Sequence, residues 1–192
     1  MDLHLAVIAM SRIVKSLKWG ASALRVARLC IVYRGRLKIS PGKPLYMGRG
    51  ARVILGADAT LSVGSGVYLS PGCVVQVNDG ACLMLEDGVY MNENCRVTVV
   101  ESTRIGSDTI FGPNVQVYDH DHQFDRGGVR SELLHAPVSI GQHCWLCANA
   151  VVTRGCTIAD CSLISANSVV THDLPVEAAL YCGSPARLIK KY

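Results

Sequence analysis

From Ile140 onward a branched aliphatic residue returns at every sixth position: Ile140, Leu146, Val152, Ile158, Ile164 and Val170. The blocks read IGQHCW, LCANAV, VTRGCT, IADCSL, ISANSV and VTHDLP. Their fifth positions are small in Cys144, Ala150, Cys156, Ser162 and Ser168, and Gly, Ala, Asn and Asp fill the places between. The same register runs upstream through Val63, Leu69 and Val75, then Leu85, Met91 and Val97, then Ile105, Phe111 and Val117. Fifth positions there include Val67, Cys73, Val89, Cys95, Thr109 and Val115. An amphipathic helix repeats near 3.6 residues and a half-buried strand at 2, so a period of six is neither. It predicts a three-walled solenoid in which each hexad makes one short strand and one corner. The aliphatic residue points into the prism and the small one lies where the wall turns. Successive coils then pair as parallel strands about 4.8 Å apart. One coil cannot bury its apolar side alone, so the stack is the stable unit.

Residues 1–36 follow another pattern. Val7, Met10, Val14, Leu17, Ala21 and Leu24 alternate by three and four, which predicts one or two helices over residues 2–30, with a break near Gly20. Arg12, Lys15, Lys18 and Arg25 fall mostly off that stripe. Two readings stand: a helix that caps and packs on the main body, or a basic amphipathic helix at an anionic membrane surface.

Composition narrows the core. Hydrophobic residues make up 49% of the 192-residue chain but aromatics only 6%, so the interior is filled by Val, Ile, Leu, Ala and Cys. The net charge of +4 is uneven: residues 1–36 hold seven Lys/Arg against Asp2 alone. The basic excess is therefore local, and no body-wide nucleic-acid footprint follows. The nine Cys include no CxxC pair. With no secretory signal ahead of them they read as reduced thiols in a cytoplasmic protein, and Cys73, Cys95, Cys144 and Cys156 fall on small inward positions. No run approaches the roughly 20 apolar residues of a membrane span.

The register disappears between Val117 and Ile140, in YDHDHQFDRGGVRSELLHAPVS. A solenoid can extrude a loop without losing its stack, and such loops carry function. This one, residues 119–137, holds His120, His122 and His135, three of the chain's six His. The sequence thus divides into an N-terminal helical segment (1–36), a β-helix (37–175) and a C-terminal strand with a short helix (176–192).

The run IGSDTIFGPNVQVYDHDH, then PVSIGQHCW, then GSPARLIKK near the C-terminus resembles the hexapeptide-repeat acyltransferases. The likeness is to the branch of maltose and galactoside O-acetyltransferases and their polysaccharide-modifying relatives. It covers roughly residues 60–192. It implies a left-handed parallel β-helix, a handedness the period alone does not give. It also implies acetyl-CoA as co-substrate without a required metal, a carbohydrate acceptor, and a homotrimer whose sites lie between subunits. His122, the last residue of YDHDH, matches the family's general base, and Asn92 in VYMNEN matches an acceptor-binding Asn. A neutral imidazole suits the task because a sugar hydroxyl is a weak nucleophile near neutral pH and histidine ionises near 6.5. His120 is the weaker candidate for base. Asp119, Asp121 and Glu101 are candidates to hold the imidazole's other nitrogen. On the cofactor side the matching positions are Trp145, Ala148, Ala166, Thr171 and Arg187, the last a partner for a CoA phosphate. Where the family often has a basic residue after the threonine, this chain has His172, which puts one phosphate contact in doubt.

The resemblance and the basic first segment together point to surface-polysaccharide assembly, such as capsule or lipopolysaccharide units, with peripheral membrane contact through the N-terminal helix. Other readings are a nucleotide-sugar N-acyltransferase, a non-catalytic β-helical binding module and a β-helical zinc enzyme. The last lacks its paired-His spacing.

Overall fold

A computed structural model describes residues 3–192, with side-chain surroundings given from Ser11 on, Arg12 excepted. The repeat forms a parallel β-solenoid of about six turns, the left-handed β-helix that the resemblance implied. Three walls build it. The first stacks six strands from Leu37–Ile39 to Thr157–Ile158. The second stacks seven parallel strands from Tyr46–Met47 to Ala179–Cys182, and the third six from Arg52–Leu55 to Val169–Val170.

The hexad logic holds residue by residue. Each first-position aliphatic from Val63 to Val170, and each fifth-position residue from Val67 to Ser168, is buried. Inside the third wall Val53, Val75, Val97, Val117, Val152 and Val170 stand in register, coil on coil. Inside the second wall Met47, Leu69, Met91, Phe111, Leu146, Ile164 and Tyr181 do the same. The four inward cysteines are buried free thiols. The corners need left-handed backbone, and Asn114, Asn149 and Asn167 supply it with φ near +60°. Asparagine tolerates that region because its short side chain bonds locally. Here Asn114 Nδ2 donates to Asn149 Oδ1 at 3.1 Å, and Asn149 Nδ2 to Asn167 Oδ1 at 3.0 Å.

Helix α1 (Leu3–Val32) is continuous through Gly20, not broken there. It packs on the first coil through a face other than the predicted stripe. Trp19 lies edge-on to Tyr46 at 4.9 Å, Met47 N donates to Ser22 Oγ at 2.8 Å in a buried bond, and Val26, Leu29 and Tyr33 pack on the core. Val14, Leu17, Ala21 and Leu24 of the predicted stripe are exposed. Val7 and Met10 lie outside the residues whose side chains are described. Periodicity could not choose between the faces, because both carry apolar residues; the buried Ser22 bond and the Trp19–Tyr46 contact decide it.

The C-terminal segment also differs from expectation. Ala179–Cys182 adds a parallel strand to the second wall, and the expected short helix is instead a strand, Arg187–Lys191, antiparallel to it. The turn at 183–186 closes the third wall, with Ala186 N donating to Val169 O at 2.8 Å. That register carries the chain straight back along the sheet edge.

Candidate active site

The third-wall strand Gln116–Tyr118 is followed at once by the chain's departure from the prism. What it extrudes is a two-stranded antiparallel hairpin, His120–Asp125 against Gly128–His135. Asp119 anchors its root. The carboxylate is fully buried, accepts Val100 N–H and Glu101 N–H at 2.8 Å each, and lies 3.1 Å from His120 Nδ1. At the same root His135 Nδ1 lies 2.7 Å from Glu101, and Arg154 donates to Asp121 at 2.8 Å. Each candidate orienting carboxylate therefore has a different partner: Asp119 holds His120, Asp121 holds Arg154, and Glu101 holds His135. His122 is exposed on the hairpin and makes no side-chain hydrogen bond or ion pair among the described residues. The Asp119–His120 contact was missed in the sequence because neighbours in a strand point to opposite faces. The bulk of the hairpin was legible there as a lapse in the six-residue register.

Asn92 stands at the corner between the second and third walls. Its Oδ1 accepts Glu93 N–H at 2.8 Å, which leaves the amide NH2 as the free end. The thiol of Cys73, one coil earlier, donates to the Asn92 carbonyl at 3.0 Å and ties this turn to the stack. Asn92 lines a groove of about 800 Å³ between the solenoid and α1, shared with Tyr46, Tyr68, Tyr90, Lys18 and Arg25. Tyr46 and Tyr68 stack at 4.2 Å, and Tyr68 and Tyr90 at 5.1 Å. Burial, then the hydrogen bond with Tyr46, pushes the Tyr68 hydroxyl from 10.0 up to about 12.

The remaining candidates are split between two edges of the third wall. Ala148 and Ala166 occupy one corner in successive coils, on the Asn92 edge, with Asn167 N donating to Ala148 O at 3.0 Å. Gly112 lies at the same corner one coil earlier, and a Cβ there would stand 2.7 Å from Ala148 N. Thr171 lies on the opposite edge, the edge from which the hairpin leaves. Beside it Arg187 Nη1 is 3.0 Å from His172 Nε2. Trp145 is half exposed on the outer face of the second wall, in register with Ile110 and Leu163. A single chain thus gathers His122, Thr171 and Arg187 on one edge and Asn92, Ala148 and Ala166 on the other. It does not bring the two sets together.

Residues 137–172 match the bacterial transferase hexapeptide family (six repeats). Over those residues the chain resembles the hexapeptide-repeat transferases. It is 38% identical over 100 residues to nodulation protein L of Rhizobium meliloti, covering 52% of this chain and 54% of that relative. It is 32% identical over 106 residues to galactoside O-acetyltransferase of Escherichia coli, covering 53% and 50%. The chain thus spans about half the length of these relatives. Among solved structures it resembles a maltose O-acetyltransferase from Clostridium difficile 630, with 27% identity and a TM-score of 0.50 over 76% of this chain and 68% of that one. These likenesses fall on the branch that the hexad runs and the YDHDH motif pointed to.

Proposed function

We propose that the protein is an O-acetyltransferase that moves the acetyl group of acetyl-CoA onto a sugar hydroxyl, as a step in surface-polysaccharide assembly. The observation that carries the reading is the single break in the stack: a hairpin that stands His122 in solvent at the edge of a hexapeptide β-helix. The named acetyltransferase relatives support the chemistry. His122 takes the acceptor's O–H proton as the oxygen attacks the thioester carbonyl. The tetrahedral intermediate collapses, the C–S bond breaks, and the CoA thiolate recovers the proton from the imidazolium. The free amide end of Asn92 holds the acceptor. Trp145, Ala148, Ala166, Thr171 and Arg187 line the path of CoA, with Arg187 on a phosphate.

His122 and Asn92 lie on opposite edges of one wall, so the reading requires a second copy. We place the site between the hairpin edge of one subunit and the Asn92 edge of the next, in a homotrimer. The outer face of the second wall supports such packing, because Ile110, Trp145, Leu163 and Leu180 form an apolar ladder along it.

One observation favours a second reading of the base. His120 is held by a buried carboxylate, the arrangement that orients a catalytic imidazole, whereas His122 is not. Acetyl transfer from acetyl-CoA to a galactoside or maltoside panel separates the two. The first reading predicts that His122→Ala lowers kcat by at least about 100-fold, with native circular dichroism, while His120→Ala retains turnover. The reverse order assigns the base to His120, and full activity in both variants removes the proposed mechanism.

A further inference from the structure

We propose that α1 rests on an anionic lipid surface through the face it turns away from the solenoid. Trp19, Ser22, Val26, Leu29 and Tyr33 use one side of the helix on the first coil. The opposite side carries Ile13, Leu17, Leu24 and Ile31. From Ile13 these stand 4, 11 and 18 residues on, about one, three and five whole turns, so they form one narrow stripe. They are 59%, 68%, 75% and 78% exposed. An apolar ridge this bare on a helix already docked by its other side needs a second contact.

Charge selects the occupant. The helix Leu3–Val32 contains Arg12, Lys15, Lys18, Arg25 and Arg28 and neither Asp nor Glu. Two such helices repel one another, whereas an anionic surface attracts the net positive helix, on which Arg28 stands nearest the apolar stripe while Lys18 and Arg25 line the groove against the solenoid. No helix among the described residues is long and apolar enough to cross a membrane, so α1 lies along the surface. The same helix walls the groove that contains Asn92, which places that groove about one helix diameter, roughly 10 Å, from the lipid. The inference does not depend on the acyl-transfer reading.

Co-sedimentation of the full chain tests it. The protein pellets with vesicles of phosphatidylglycerol and phosphatidylcholine at least about tenfold more than with phosphatidylcholine alone, and added salt reduces the difference. Leu24→Glu/Ile31→Glu changes two exposed side chains and loses about tenfold or more of the binding. Arg28→Glu, which leaves the apolar stripe intact, weakens it by a smaller factor. The proposal is overturned if wild-type protein stays in the supernatant with anionic vesicles, or if the double variant pellets as well as wild type. It is also overturned if light scattering in lipid-free buffer shows wild type as a larger assembly than the double variant, because a second copy then covers the face.

Discussion

Thr109 occupies a fifth position of the hexad and does more there than fill space. Its hydroxyl donates to Gly141 O at 2.8 Å and accepts Cys144 N–H at 3.1 Å, both buried. These bonds join the last coil before the hairpin to the first coil after it, where 35 residues separate paired positions instead of 18 or so. Thr109→Val keeps the volume and strands two backbone groups, so it costs about 1–3 kcal/mol in a denaturant titration. A cost near zero would show that the hydroxyl is dispensable. The inward cysteines behave differently. Cys144 is pushed up to about 11 by burial, which keeps it a thiol and a packing residue near neutral pH. The small-residue rule read from the sequence placed Thr109 and Cys144 correctly. It could not assign hydrogen bonds, because volume and polarity are separate demands on a corner. For the same reason the roles of Asp119, Asp121 and Glu101 were not legible: pairing depends on which coil lies above, and one sequence does not print that.

Among the elements, the strands were the most readable, since each buries a single aliphatic side chain and any slip would expose it. The helix and the C-terminus were less so. On α1 the apolar residues surround the axis, and at the C-terminus Arg187–Lys191 gains its strand character only by pairing with Ala179–Cys182. The Tyr46–Tyr68–Tyr90 ladder is an element of its own, made by three coils presenting the same position under α1. It has a pH signature. Tyr68 keeps its proton more tightly when folded, so its contribution is intact below 10.0 and is lost as pH rises towards about 12. Absorbance titration should show one tyrosine ionising late, and stability falling across that window. Tyr46→Phe should bring the late tyrosine closer to its ordinary value, because it removes one of the groups that raise it. A late step unaffected by that change would mean that the Tyr46 hydroxyl does not help to hold the Tyr68 proton.

For the whole molecule, the solenoid separates what the proposed chemistry needs together. A prism has corners, and residues on different corners of one coil cannot reach one another across the core. His122 leaves from the corner after the third wall, and Asn92 stands at the corner before it. The repeat made the prism evident from the sequence, whereas the division of candidate residues between its edges emerges only when each is assigned to a corner. An oligomer that apposes unlike edges then converts two half-sites into one. The most direct measurement is complementation between two inactive chains. His122→Ala and Asn92→Ala proteins are unfolded, mixed in equal amounts and refolded together, and acetyl transfer is compared with each variant refolded alone. In a ring where each site takes its imidazole from one subunit and its amide from the next, mixed assembly restores about a quarter of the wild-type activity. Activity no greater than that of the separate variants, in a mixture shown by mass spectrometry to contain hybrid oligomers, would contradict a site shared between subunits.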